Sequence, residues 1–193
     1  MKKPEYIFIH HSAVSYRKNP DQANATNNFH KKWGLKSSLG FYGGYNYEIA
    51  MNGKITQFRK DGEVTAAQYQ NNMNDGRAIS ICLDGNFDIE DPTPEQYQAC
   101  QELILKKIAE YGIKPENILP HRAVAHYKSC CGKKLPDNLA FFFGILPIPS
   151  QNQGGKNAEK PTGTQEKRAT VIARLLQRSR LAQKVINKAS KEV

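Results

Sequence analysis

The sequence predicts an α/β protein in which a central mixed β-sheet is flanked by helices and followed by a C-terminal amphipathic helix. Between residues 5 and 121, short β-branched and aromatic runs alternate with stretches of helical periodicity. A segment rich in Pro, Gly, Gln and Asn then separates this part from a basic, periodic C-terminal stretch. No glycine-rich phosphate loop follows the first predicted strand, which argues against a Rossmann fold.

Five short runs have the composition of strands, and the MNGK sequence between the second and the third predicts a hairpin turn. The last run ends at His121, which it would place at an edge of the sheet. The runs are YIFIH (6–10), YNYEIA (45–50), KITQF (54–58), AISICLD (78–84) and ENILPH (116–121).

The clearest helical pattern begins at Pro94 and stops at Gly112. A less regular pattern covers residues 23–33. In the pattern that begins at Pro94, the apolar residues recur at helical spacing and would therefore lie on one buried face of the helix. They are Tyr97, Cys100, Leu103, Ile104, Ile108 and the stem of Lys107.

A chain of 193 residues with 39% hydrophobic residues can bury the core of one domain and leave a short appendage. No apolar run reaches the roughly 20 residues of a membrane-spanning helix. The longest candidate, residues 139–148, is interrupted by Gly144 and Pro147. Near the N-terminus, Pro4, Glu5 and His10 leave no continuous apolar stretch, so we expect no secretory signal and synthesis in the cytoplasm.

The net charge of +10 lies mostly in the C-terminal part, because residues 151–193 carry ten basic and three acidic side chains. The change of composition predicts a folded domain over residues 1–146, a flexible linker over 147–164 and a cationic amphipathic helix over 165–193. Such a helix suits an anionic surface, either phospholipid or lipopolysaccharide. The alternatives are packing on the folded domain and pairing with a partner helix. We expect no nucleic-acid partner, since the stretch lacks interleaved aromatic residues and a recognised binding motif.

Two of the four cysteines, Cys82 and Cys100, lie inside apolar patterns that are typical of buried free thiols. Cys130 and Cys131 are adjacent, in a segment with the composition of a loop. Neighbouring cysteines seldom bridge to each other, because disulfide geometry requires a Cβ separation that a trans peptide link does not easily provide. We therefore expect another role for this pair.

Two histidines end strands that are far apart in the chain, His10 in the first and His121 in the last. Strand ends are where α/β sheets commonly expose functional groups, so the two imidazoles could meet a cysteine of the following loop. Two imidazoles and a thiolate are a natural zinc set, and three protein ligands leave the fourth position open for water. His11 and His126 are also available, and a fourth protein ligand would make the metal structural. His11 directly follows His10, however, so the two side chains point to opposite faces of a strand.

Five segments occur in an order that resembles the zinc-dependent N-acetylmuramoyl-L-alanine amidases of the phage-lysozyme and peptidoglycan-recognition-protein type. The resemblance spans roughly residues 5 to 140 and implies that family's fold, with a zinc amidase catalytic domain over residues 1–146. The segments are IFIHHSA, FHKKWG followed by GGYNYEI, ISICLDGNFD, PTPEQYQACQELI and HRAVAHYKSCCGKKLP.

Carried over to this sequence, the resemblance implies a zinc cofactor and five site residues. Cys131 stands where the family usually has proline, so a shift of the loop by one residue would make Cys131 the sulfur ligand. The implied zinc ligands are His10, His121 and Cys130, and the implied catalytic residues are Tyr45 and Lys128.

The function implied by the resemblance is hydrolysis of the amide between N-acetylmuramic acid and the L-alanine of the peptidoglycan stem peptide. Zinc lowers the pKa of a bound water to about 7, Lys128 would stabilise the oxyanion, and Tyr45 would orient the water or relay a proton. We expect a phage endolysin, made in the host cytoplasm and acting at the bacterial cell wall after release. The alternatives are a cytosolic muropeptide-recycling amidase and a non-catalytic peptidoglycan-binding module.

Four further residues lie near these motifs. His30 would border a substrate groove or cap a helix, and for Trp33 the sequence favours helix packing. Asn86 and Phe87 would line the cleft, although a loop after a strand explains them adequately.

Overall fold

A five-stranded mixed sheet forms the centre of the chain in the computed structural model, which describes residues 1–68 and 72–146. Its strand order is β3-β2-β4-β1-β5. Strand β1 runs parallel to β4 and β5, β2 is parallel to β4, and β3 is antiparallel to β2. The strands are β1 Tyr6–His11, β2 Tyr47–Ile49, β3 Ile55–Gln57, β4 Ala78–Leu83 and β5 Ile118–Pro120.

The two central strands, β1 and β4, are buried on both faces. Ile7, Phe8 and Ile9 of β1 are fully buried, and so is every residue of β4. Parallel strands covered on both faces carry near-continuous apolar runs rather than alternating ones. The predicted mixed sheet and the β2–β3 hairpin are thereby confirmed.

The long helix α2, Pro94–Tyr111, begins and ends where its sequence signals indicate. The Thr93 side chain accepts a hydrogen bond from the backbone N–H of Gln96, whose side chain in turn accepts one from the backbone N–H of Thr93, and this forms a capping box. Gly112 ends the helix with φ of 72°, a conformation that glycine adopts without a steric cost. The sequence indicates burial of the Lys107 stem only, whereas the structure buries the whole side chain. Its ammonium group pairs with the buried carboxylate of Asp61 at 2.5 Å.

The other helices are short. The predicted helix over residues 23–33 forms as α1, Ala23–His30, followed by a single 3-10 turn over Lys31–Trp33. Helix α3, Leu139–Phe142, lies in the apolar stretch near residue 140, and 3-10 turns occur at Pro115–Asn117 and His121–Ala123. None of the helices in the described ranges is both long enough and apolar enough to cross a membrane.

The predictions for the C-terminal part concern residues that lie outside the described ranges. They are the linker over 147–164 and the amphipathic helix over 165–193.

Candidate active site

The three predicted metal ligands meet at the carboxyl ends of two neighbouring parallel strands. His10 lies near the end of β1, His121 directly follows β5, and Cys130 lies in the loop beyond it. One potential ligand atom of each residue lies within 4.8 Å of the other two. The His10 Nδ1 to Cys130 Sγ distance is 3.8 Å, and the two imidazole centroids are 4.6 Å apart. Within the described residues, no other group of three or more His, Cys, Asp or Glu side chains converges in this way.

The atoms of this cluster fit a zinc ion. The buried Nε2 of His121 has no hydrogen-bond partner among the described residues, so it is free to bind a metal. His10 directs Nε2 to the Gln68 Oε1 at 3.2 Å, which leaves Nδ1 on the side of Cys130. Two imidazole nitrogens and one sulfur are ligands that zinc prefers.

Burial keeps both imidazoles neutral, which is the form that binds a metal. Burial and the neighbouring His121 hold the pKa of His10 well below its usual range. Burial and the charge of Lys128 lower the pKa of His121 to about 4. Burial likewise raises the pKa of the Cys130 thiol to about 11. Metal binding would therefore have to displace the thiol proton.

The adjacent cysteines occupy different environments. Cys130 belongs to the ligand cluster and lines the cavity above it, whereas Cys131 is fully buried within the hydrophobic core. Burial raises the pKa of the Cys131 thiol to about 12. All four cysteines are free thiols, and Cys82 and Cys100 are buried as the sequence predicts.

Arg122 organises the loop that carries Cys130, a role that the sequence analysis missed. Its backbone N–H donates to the Cys130 carbonyl at 2.6 Å. Its guanidinium donates to four acceptors along the same loop: the carbonyls of Ser129, Gly132 and Leu135 and the carboxylate of Asp137. Only its position directly after His121 could have drawn attention to it.

Asp88 secures the same loop from the β4 side. Its two carboxylate oxygens accept hydrogen bonds from the Ser129 hydroxyl at 2.8 Å and from the Lys133 backbone N–H at 2.9 Å. Ser129 immediately precedes Cys130, so this contact limits the movement of the sulfur ligand.

Gln68 is a further residue that the sequence analysis missed, as it also missed Asp88. It is fully buried, and its Oε1 accepts from the Ser80 hydroxyl at 2.6 Å while its amide donates to the Met73 carbonyl at 3.0 Å. These contacts orient Oε1 toward His10. No strand or helix is predicted around Gln68, so no sequence signal marks it.

Tyr45 and Lys128, the two predicted catalytic residues, line the same cavity as the ligand cluster. The Tyr45 ring centroid lies 5.2 Å from that of His10. Burial, reinforced by Cys82 and Cys130, raises the pKa of Tyr45 well above its usual range, so its hydroxyl keeps its proton. Lys128 is an exposed residue of the loop that carries Cys130.

The cavity has a volume of about 460 Å³. His30 and Trp33 contribute to its wall, as do Tyr127 and Ser129. The Trp33 ring stacks on His30, and the residue is 48% exposed.

The remaining candidates do not belong to the ligand cluster, although His11 lines the same cavity. The Nδ1 of His11 accepts a hydrogen bond from the backbone N–H of Phe87 at 3.1 Å, and His126 is exposed. Phe87 is fully buried in the core, and Asn86 belongs to the loop after β4, as expected for packing and loop residues.

Comparison with known proteins gives one family and a set of related structures. A family model described as Amidase_2, N-acetylmuramoyl-L-alanine amidase, matches residues 1–133. No curated protein sequence matches the chain significantly.

Three of the similar solved structures cover different kinds of protein. The N-acetylmuramoyl-L-alanine amidase LysC from Clostridium intestinale URNW is 25% identical, with a TM-score of 0.57 over 69% of this chain and 80% of that chain. The Ph2119 endolysin from Thermus scotoductus MAT2119 bacteriophage Ph2119 is 19% identical, with a TM-score of 0.57 over 75% and 86%. Human PGRP-IBETAC in complex with glycosamyl muramyl pentapeptide is 19% identical, with a TM-score of 0.57 over 72% and 83%.

Proposed function

The chain belongs to the N-acetylmuramoyl-L-alanine amidase family, and on that premise we propose that it is a zinc-dependent peptidoglycan hydrolase. It cleaves the amide between N-acetylmuramic acid and the L-alanine of the stem peptide. One observation carries this proposal: ligand atoms of His10, His121 and Cys130 lie within 4.8 Å of one another on the floor of an open cavity.

In this proposal His10 Nδ1, His121 Nε2 and Cys130 Sγ hold the zinc ion. Zinc bound by three protein ligands acts as a Lewis acid that activates water for hydrolysis near neutral pH. The hydrogen bond between Gln68 and His10 Nε2 fixes the orientation of the imidazole. The contacts of Arg122 and Asp88 restrict the loop that supplies the sulfur.

Lys128 and Tyr45 act on the substrate. The ammonium group of Lys128 stabilises the negative charge that develops on the amide carbonyl oxygen, an effect whose loss typically costs on the order of a hundredfold in rate. The Tyr45 ring lies beside His10, and its hydroxyl is protonated. It donates a hydrogen bond that orients the attacking water or relays a proton.

The test is to digest purified peptidoglycan and to identify the products by mass spectrometry. We expect intact stem peptides with free L-alanine amino termini and intact glycan strands. Cys130→Ser should lose both zinc and activity, whereas Cys100→Ala, a buried cysteine on α2, should keep both. Hydrolysis that survives chelators and Cys130→Ser would contradict the proposal.

We also propose an endolysin role, in which the protein is made in the cytoplasm and acts at the cell wall after release. Support comes from the solved structure of similar fold that is described as a phage endolysin and from the cationic composition of residues 165–193, which suits an anionic membrane or lipopolysaccharide. Deleting residues 151–193 should spare hydrolysis of purified sacculi yet weaken the killing of intact cells. Equal killing by both forms would contradict the membrane contact.

A non-catalytic peptidoglycan-binding module is the second candidate, because a similar structure is a complex with a muramyl pentapeptide. Binding of muropeptides without release of stem peptides in the digestion would favour it. A cytosolic muropeptide-recycling amidase would instead act on soluble fragments and leave intact sacculi undigested.

A further inference from the structure

Trp33 is an aromatic side chain that is exposed at the wall of the active-site cavity. It ends the 3-10 turn Lys31–Trp33, and Gly34 then turns the chain away with φ of 69°. The residue is 48% exposed and contributes to the cavity wall together with His30. Tryptophan side chains are on average more buried than this, so its position at the cavity wall leaves the indole accessible to a ligand.

The indole of Trp33 is held by two neighbouring aromatic rings. The His30 ring lies nearly parallel to it, with an interplanar angle of 19° and a centroid distance of 4.2 Å. His30 is itself fixed, because its Nδ1 accepts a hydrogen bond from the backbone N–H of Gly44 at 2.8 Å. The Phe29 ring meets the indole edge-on at 6.2 Å. Trp33 is therefore a preorganised aromatic surface, which lowers the entropic cost of binding a ligand.

The chemical difference between the two sides of the substrate indicates which side the aromatic surface of Trp33 binds. The scissile amide joins a sugar to a peptide, so a substrate held at the ligand cluster extends in two directions, one saccharide and one peptide. A pyranose ring has a face of C–H groups that packs well on an aromatic ring, whereas the stem peptide is rich in carboxylates. Apolar contact with a large exposed aromatic ring favours the saccharide.

We propose that Trp33, supported by His30, forms a stacking subsite for the muramyl sugar ring of the substrate. This inference rests on the proposed function. It assigns the glycan side of the substrate to the part of the cavity formed by α1 and the turn that follows it. Trp33 then acts as a specificity-determining residue that favours glycan-linked peptides over free lactyl peptides.

Tryptophan fluorescence tests the subsite directly, because Trp33 is the only tryptophan in the chain. The full-length zinc-loaded protein is titrated with the GlcNAc–MurNAc disaccharide, which lacks the scissile amide, and separately with a sugar-free L-alanyl-D-glutamyl peptide. We expect the disaccharide to shift the emission saturably and the peptide to leave it unchanged. A shift with the peptide alone would overturn the proposal and assign Trp33 to the stem peptide.

Three variants separate stacking from simple apolar contact. By calorimetry, Trp33→Leu should raise the disaccharide Kd about 3- to 10-fold and Trp33→Phe by less, as expected for the loss of one aromatic stacking contact. Phe141→Leu, which changes a partly exposed aromatic residue of α3, should not change the Kd. Equal affinity of wild type and Trp33→Leu would overturn the proposal.

Failure of this inference can be distinguished from failure of the proposed function. Release of stem peptides from sacculi without disaccharide-dependent fluorescence would keep the amidase and remove the subsite. Disaccharide binding without any hydrolysis would keep the subsite and remove the amidase.

Discussion

Gln68 is the side chain that holds His10 with its Nδ1 toward Cys130. The bond from His10 Nε2 to Gln68 Oε1 spans 58 positions of the chain and lies in a buried environment. Partners of this kind fix the tautomer and the ring orientation of a metal-binding histidine.

Gln68→Ala should therefore weaken zinc binding about 10- to 100-fold, the usual range for such partners. Competition with a chromophoric chelator measures the affinity, and Gln98→Ala, an exposed change on α2, serves as the matched control. Unchanged zinc affinity in Gln68→Ala would show that His10 needs no orienting partner.

Two buried carboxyl groups, Glu48 on β2 and Asp84 after β4, face each other, and no cationic group among the described residues pairs with them. Glu48 accepts a hydrogen bond from the Thr26 hydroxyl at 2.9 Å, and Asp84 accepts one from the Gln22 backbone N–H at 2.7 Å. Their other oxygens have no hydrogen-bond partner in the described part of the chain. Burial raises the pKa of both groups, and the charge of Asp84 raises that of Glu48 further.

This pair makes stability depend on pH in a defined direction. In the unfolded chain both carboxyl groups ionise near pH 4, while the folded protein retains a proton on the pair to higher pH. The folded state then binds more protons at this pair, so the pair's contribution to stability is greatest below about pH 4 and falls as the pH rises above it.

Glu48→Gln should reduce the loss of folding stability that occurs as the pH rises. An amide at position 48 can donate a hydrogen bond to Asp84, and we expect the variant to gain on the order of 1 kcal/mol over wild type at pH 8 and little at pH 4, since one pKa unit corresponds to about 1.4 kcal/mol. Urea unfolding at the two pH values measures the difference. An equal change in the free energy of unfolding at both pH values would mean that the pKa of Glu48 does not change on folding.

At the scale of structural elements, the loop over residues 129–137 is held by the Arg122 guanidinium together with the Asp88 carboxylate. Arg122 donates to three backbone carbonyls of this loop and to Asp137, and its side chain is 20% exposed against 83% for Asp137. The backbone contacts are thus the protected ones, and the ion pair is largely solvated.

Arg122→Lys should destabilise the protein by about 1 to 3 kcal/mol, because a lysine cannot reach all of these acceptors and leaves buried carbonyls unpaired. It should also weaken zinc binding, since the same loop carries Cys130. Asp137→Asn is the control and should cost about 0.5 kcal/mol or less, as is usual for exposed ion pairs. Denaturant unfolding and chelator competition together report both effects.

At the scale of the whole molecule, the proposed zinc site joins three parts of the chain that are distant in sequence: the end of β1, the residue after β5 and the loop beyond. A metal that binds only the folded state stabilises it by mass action, by about 2.7 kcal/mol at a free concentration one hundredfold above Kd.

Removal of zinc by a chelator should therefore lower the Tm, and added zinc should restore it. Cys130→Ser should melt near the temperature of the zinc-free wild type and respond only weakly to added zinc. Calorimetric scans with and without zinc measure this. A Tm that is independent of zinc in the wild type would contradict the metal site.

Local features of the sequence were sufficient to predict most of the elements. The five strands, the hairpin and the limits of α2 follow from side-chain periodicity, from the turn at MNGK and from the signals at Pro94 and Gly112. These features act over a few residues, so they can be read without knowledge of the fold. Of the candidate site residues, His10 and His121 were indicated by their places at strand ends, whereas Cys130, Tyr45 and Lys128 came from motif resemblance, which requires only the order of segments along the chain.

The tertiary structure decided what depends on contacts between distant segments. It brought Cys130 rather than Cys131 beside His10, oriented His10 through Gln68, and exposed Trp33 at the cavity wall. It also paired Glu48 with Asp84 inside the protein. Each of these outcomes depends on which side chains the packing of the sheet brings together, and the identity of a residue and its immediate neighbours does not contain that information.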